Sequence, residues 1–137
     1  MMTVVLDTSV AIAWYLPEEF STAARVWRRK VMQGQAECLV PALHFQEFGN
    51  VLRKYVLFRE LSRSDAEELY TLHCDCPLTI VEPDRRQVLA CALDYAATVY
   101  DAVYIQLSRE YSVPLLTAER TTTSWVQKLG DSVISCR

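Results

Sequence analysis

Short β-branched runs, each followed by a longer stretch of helical periodicity, limit what this chain can fold into. Thr3-Val4-Val5-Leu6 is too short for a helix and stops at Asp7-Thr8-Ser9, so it reads as a buried first strand. Val10 to Leu16 predict a short helix. Pro17-Glu18-Glu19 start another that runs to about Gln33, with Arg28, Arg29 and Lys30 in its last turns and Gly34 as its cap. Cys38-Leu39-Val40 before Pro41 is a second strand. From Ala42 to about Arg59, Phe45, Phe48, Leu52, Tyr55 and Val56 recur at helical spacing. Ser62 to Asp65 resembles a capping box for a helix ending near Cys74. Leu78 to Val81 is a third strand, after which Asp84 caps a helix through Ala96 and Thr98 caps another through about Tyr111. Val113 to Thr117 and Ser132 to Ser135 are the last strands, separated by a helix from about Thr121 to Leu129.

That order predicts an α/β fold: a three-layer α/β/α sandwich around a mainly parallel sheet of about five strands. No repeat, low-complexity tract or linker interrupts it, so residues 1–137 are expected to form a single domain. Apolar residues make up 51% of the chain and the net charge is −3, which excludes disorder. No stretch approaches the roughly 20 apolar residues needed to cross a bilayer, and the N-terminus lacks a signal-peptide pattern. The expectation is a cytoplasmic protein with no membrane association. Cys38, Cys74, Cys76, Cys91 and Cys136 are odd in number and irregularly spaced, which fits reduced thiols.

In sheets of this kind ligands meet the carboxyl ends of the strands. Asp7 follows the first strand directly, and Glu119 follows the fourth by two residues. Glu47 lies in the first turns of the helix after the second strand, at the same edge. Asp101 sits in the first turn of the helix that precedes the fourth strand, and only a bend at Ala96-Ala97-Thr98 brings it to that edge. Each acid also has a plain structural reading: Asp7 as a helix cap, Asp101 in a capping box with Thr98, Glu47 favoured by the helix dipole, Glu119 as a loop acid. Three of them, however, are embedded in apolar sequence: Val4-Val5-Leu6-Asp7, Phe45-Gln46-Glu47-Phe48 and Val99-Tyr100-Asp101-Ala102-Val103. Partly buried carboxylates need partners, and too few lysines or arginines stand beside them. A divalent cation satisfies several at once, and hard oxygen donors suit Mg²⁺ or Mn²⁺.

Four segments in order carry a family resemblance: Val4-Val5-Leu6-Asp7-Thr8-Ser9, then Glu47-Phe48-Gly49-Asn50-Val51-Leu52-Arg53-Lys54, then Tyr100-Asp101-Ala102-Val103-Tyr104, then Pro114-Leu115-Leu116-Thr117-Ala118-Glu119. With them the chain resembles the PIN-domain ribonucleases, most closely the VapC toxins of VapBC toxin–antitoxin pairs. The resemblance implies a divalent-metal-dependent endoribonuclease with catalytic acids Asp7, Glu47, Asp101 and Glu119. Asp7 and Asp101 would be the most direct metal ligands. Glu119 and Glu47 would serve as ligand through water or as base, and Thr8, Ser9, Asn50 and Thr117 as polar groups near the site. It also implies 5′-phosphate and 3′-hydroxyl products, a structured RNA substrate such as tRNA, a homodimer and a cognate antitoxin. The family usually carries aspartate where this chain has Glu119, so Asp131 is the alternative for that position. A non-catalytic PIN-fold module that binds RNA or protein is the alternative reading, motivated by Glu119 and by the net negative charge.

Basic groups must hold RNA against that charge. Arg53, on the helix that carries Glu47, is the phosphate candidate, while Arg25, Arg28, Arg29 and Lys30 also fit dipole compensation at a helix end. His73-Cys74-Asp75-Cys76 lacks a second ligand pair at zinc spacing, and His44 reads as an ordinary interior or surface histidine. Trp14, Trp27, Phe45, Phe48, Tyr55 and Phe58 are more aromatics than a small core must take, which points to an interface.

Overall fold

A computed structural model describes residues 1–137. Five parallel strands form one sheet: β1 (Met2–Leu6), β2 (Ala36–Val40), β3 (Thr79–Ile80), β4 (Leu115–Thr117) and β5 (Val133–Ser135), in the order β3-β2-β1-β4-β5. Seven α-helices connect them: α1 (Thr8–Ala13), α2 (Ser21–Met32), α3 (Leu43–Leu57), α4 (Arg63–Cys74), α5 (Arg85–Tyr95), α6 (Val99–Tyr111) and α7 (Ser124–Leu129). The three-layer α/β/α architecture is as the sequence predicts.

Alternation along β1 divides the core in two, because successive strand residues point to opposite faces. Val4 and Leu6 pack with Val10, Trp14, Ala24, Phe48 and Leu52 under the helices of the first half. Val5, between them, packs with Leu39, Val88, Ala102, Ile105, Leu115 and Trp125 under the helices of the second half. Both faces of β1 are therefore covered, and Val4, Val5 and Leu6 are fully buried. No single helix is long and apolar enough to cross a membrane.

Element boundaries shift where side chains claim backbone groups. The second helix begins at Ser21 rather than Pro17, because the Ser21 hydroxyl accepts from the Glu18 N–H at 2.9 Å and donates to the Leu16 carbonyl at 3.1 Å, closing a turn first. Strand β4 begins two residues later than expected: the Val113 N–H closes the end of α6 on the Ser108 carbonyl, and Pro114 has no N–H to give. Helix α7 begins at Ser124 rather than Thr121. Thr98, Ser62 and Asp84 do cap their helices, accepting from the N–H groups of Asp101, Asp65 and Arg86.

Candidate active site

Strand order reverses between β1 and β4: β2 and β3 extend the sheet on one side of β1, while β4 and β5 extend it on the other. Ligands in open parallel sheets bind at such a switch point, outside the carboxyl ends of the strands. Asp7 leaves β1 there and Glu119 follows β4 there. The decisive local feature for Asp101 is the left-handed Ala96 (φ 51°), which breaks the chain so that α5 and α6 meet at 107°. That bend starts α6 at the switch point. Asp7, Glu47, Asp101 and Glu119 thereby line one hollow of about 380 Å³, with Thr8, Ser9, Ile12, Glu18, Phe20, Val51 and Arg137 completing its wall.

Each carboxylate is held differently. Asp7 sits at the N-cap of α1, yet its side chain makes no capping bond. Its Oδ2 instead accepts from Thr117 at 2.7 Å and from Ser9 at 2.8 Å, and the Ser9 hydroxyl in turn accepts from the Ala118 N–H. Glu47 Oε1 accepts from the Tyr104 hydroxyl at 2.6 Å and from Thr8 at 3.2 Å. Glu119 Oε1 accepts from Thr123 at 3.2 Å, so that threonine serves the acid instead of capping α7.

Burial raises the Asp7 carboxyl above the usual range against the pull of Thr117 and Ser9, with the Glu119 charge adding to the rise. Burial likewise raises Glu47. Asp101 is pushed up to about 6, first by burial and then by the charges of Asp7, Glu119 and Glu47. No lysine or arginine pairs with these acids: the one side-chain ion pair in the molecule is Arg63–Glu67, on the surface. Burial and mutual repulsion thus hold the Asp7, Glu47 and Asp101 carboxyls above their ordinary range, with no ion pair to offset either effect.

The PIN domain family profile matches residues 4–122, which contain all four acids. This chain belongs to the PIN-domain family. Among PIN-domain relatives, it is 34% identical over 123 residues to Ribonuclease VapC3 of Pyrobaculum aerophilum, covering 87% of this chain and 91% of the relative. Two solved structures share the fold. One is a Pyrobaculum aerophilum protein with a TM-score of 0.73 and 16% identity, covering 98% of this chain and 90% of the other. The other is a toxin–antitoxin complex from Klebsiella pneumoniae with a TM-score of 0.66 and 12% identity, covering 98% of both chains.

Not every expected residue reaches the PIN-domain hollow. Asp131 precedes β5 and lies with Arg109 and Pro114 at the opposite edge of the sheet, so it cannot take the place of Glu119. Arg53 is exposed on α3 but does not line the hollow, because six residues past Glu47 turn it about 240° around the helix. Thr117 is fully buried behind Asp7 and holds its carboxylate, so it is out of reach of substrate. Asn50 lies on the exposed shoulder beside Glu47 and Tyr100. The α2 cations are dispersed: Arg25 bonds the Trp14 carbonyl, Arg28 lies over Tyr15 and Lys30 over Trp27. Trp14 and Phe48, expected at an interface, are core residues at 4% and 1% exposure, whereas Phe58 is exposed.

Sequence reasoning missed three members of the site. Tyr104 had a signal, since three residues after Asp101 put it on the same side of α6. Glu18 and Arg137 had none, because only the folded chain brings them to the wall. The Arg137 Nε donates to the Ala118 carbonyl at 2.6 Å, and its guanidinium stacks over Phe20 at 5.1 Å.

Proposed function

We propose that this chain is an endoribonuclease, the toxin of a type II toxin–antitoxin pair, that hydrolyses RNA phosphodiester bonds with Mg²⁺ or Mn²⁺. The observation that carries the reading is the gathering of Asp7, Glu47, Asp101 and Glu119 around one hollow in which no lysine or arginine forms an ion pair with them, in a chain 34% identical to a VapC ribonuclease. Hard oxygen donors of this kind fit a divalent cation. No three acidic, histidine or cysteine groups stand close enough to hold an ion together as they are. An open mouth of this sort suits Mg²⁺, which keeps several waters and takes only one or two protein carboxylates. Asp7 and Asp101 would hold it, with Glu119 reaching through water. Bound there, the cation would neutralise charge on the phosphate and acidify a coordinated water.

The protein's own groups do the rest. Ser9 and Thr117 fix Asp7 by one oxygen and leave Oδ1 for the hollow. Glu47 takes the proton of the attacking water. Ser9 and Asn50 contact the RNA from the rim, while Thr8, buried with its hydroxyl on Glu47, serves that acid instead; the guanidinium of Arg137 supplies the phosphate contact that Arg53 is badly placed to make. The cognate antitoxin would cover this hollow. A homodimer is supported by Leu89, Leu93, Val99 and Tyr100, which stand exposed on α5 and α6. The protein would act in the cytoplasm as a single domain.

The test is cleavage of tRNA and total RNA by purified protein in Mg²⁺, Mn²⁺ or chelator. Cleavage in metal that disappears in chelator and in Asp7→Asn and Asp101→Asn, but survives in Arg85→Ala, supports the reading. Metal-independent cleavage, or equal activity in all variants, refutes it.

A further inference from the structure

A line of polar side chains runs from Glu47 through the core to the far side of α4. Thr8 Oγ1, which donates to Glu47, also stands 3.3 Å from His44 Nδ1 and 2.9 Å from the Tyr104 hydroxyl. His44 Nε2 meets His73 Nε2 at 2.9 Å, and His73 Nδ1 meets the Tyr15 hydroxyl at 2.9 Å. Tyr15 in turn reaches Cys76 Sγ at 3.3 Å. Both imidazoles are fully buried, and the His73 ring is stacked on Phe48. Helices α1, α3, α4 and α6 all contribute to this chain.

Proton counting gives it a direction. Burial keeps both rings neutral, pushing His44 down to about 3 and His73 down to about 4; the proximity of the second ring adds to the effect at His44 and the Arg28 charge adds to it at His73. Two neutral rings facing each other through Nε2 carry one proton between those atoms. The Glu47 carboxylate can only accept, so the bond at 3.2 Å takes the single Thr8 proton. The His44 Nδ1 facing the Thr8 oxygen is then the protonated nitrogen, its Nε2 is bare, and His73 donates from Nε2. Tyr15 then donates to the bare Nδ1 of His73. With Nδ1–H facing its oxygen, Thr8 spends its own proton on Glu47. In the opposite tautomer Thr8 would give that proton to the ring, and Glu47 would keep only Tyr104.

We infer that His44 and His73 are positioning residues for Glu47: acting through Thr8, they keep two hydroxyl donors on Oε1 and leave Oε2 free for the acidic hollow. The inference deepens the nuclease reading, since Glu47 is one of the acids assigned there. A relay this far from the surface is a means of orienting one carboxylate without placing a cation beside it.

The test combines imidazole ¹⁵N NMR on the full chain with single-turnover RNA cleavage by variants. Protonated Nδ1 on His44 and protonated Nε2 on His73 are expected. His73→Leu should lower the cleavage rate about tenfold at nearly unchanged RNA affinity, the worth of one hydrogen bond to a charged group. His73→Gln, whose amide N–H can replace the lost donor, should restore it. A bare Nδ1 on His44, or a folded His73→Gln that stays as slow as His73→Leu, overturns the inference. Should His73→Leu not fold, a crystal structure of Thr8→Val, which cuts the link between His44 and Glu47, decides: Glu47 is expected to swing off its pose, and an unmoved carboxylate overturns the positioning role. If the unaltered protein cleaves no RNA, the nuclease reading fails, and the tautomers together with the Glu47 pose in Thr8→Val still decide this one.

Discussion

Replacing Asp101 with asparagine removes one charge from the crowded hollow, and the structure says what that should do to stability. The Asp101 carboxyl is raised from 3.8 to about 6 by burial first and by the charges of Asp7, Glu119 and Glu47 after it. Because the folded protein holds this proton more tightly than the unfolded chain, stability falls as pH rises through about 4 to 6, and the cost is complete above that window. At face value a rise of that size corresponds to ~3 kcal/mol. Solvent reaches part of the side chain, and screening reduces the figure to about 1–2 kcal/mol. The lost attraction between a carboxylate and the start of α6 takes back about 0.5 kcal/mol. Asp101→Asn should therefore raise the melting temperature in chelator at pH 7.5 by about 2–5 °C, and change it little at pH 4. Added Mg²⁺ should reverse the order, because a ligand at 100 times its Kd stabilises by about 2.7 kcal/mol and the variant has lost a holder of it. Differential scanning calorimetry at two pH values, with and without metal, reads all of this. Equal destabilisation under all four conditions would mean that Asp101 is an ordinary first-turn acid and that the carboxylates do not repel one another as argued.

Three further outcomes follow from named contacts. Glu47→Gln should lower RNA cleavage at least about a hundredfold, the usual worth of a general base, while Arg85→Ala on the exposed end of α5 leaves it unchanged in the same gel assay. Arg137→Ala should weaken RNA binding and reduce the slope of log affinity against log salt by about one unit, with Arg137→Lys intermediate, as measured by fluorescence anisotropy over a salt series. Gly49→Ala should lose about 1–2 kcal/mol in urea denaturation despite the better helix propensity of alanine, because the new Cβ would stand 2.7 Å from the Tyr70 ring; Tyr70→Leu in the same chain should recover most of the loss.

The sequence by itself determined the elements and most of the acids. β-Branched runs too short for helices can only be strands here, and Ser62, Asp84 and Thr98 mark helix starts because their side chains satisfy N–H groups a few residues away. Such local bonds are written in consecutive residues. Asp7 and Glu119 were legible for the same reason, each following a strand at its carboxyl end. The tertiary structure alone decided the rest. Whether β4 lies beside β1 or at an edge is invisible in the order of residues, yet that adjacency creates the switch point and places Thr117 against Asp7, 110 positions away. Parallel pairing of β5 with β4 leaves Asp131, which precedes β5, at the other end of the sheet. The left-handed turn at Ala96, which no glycine announces, delivers Asp101. His44 and His73 looked ordinary in isolation, and only close packing of α3 against α4 makes them neighbours. Local hydrogen bonding is a property of nearby residues, whereas a site built from four helices and two strands depends on which surfaces the whole chain buries together.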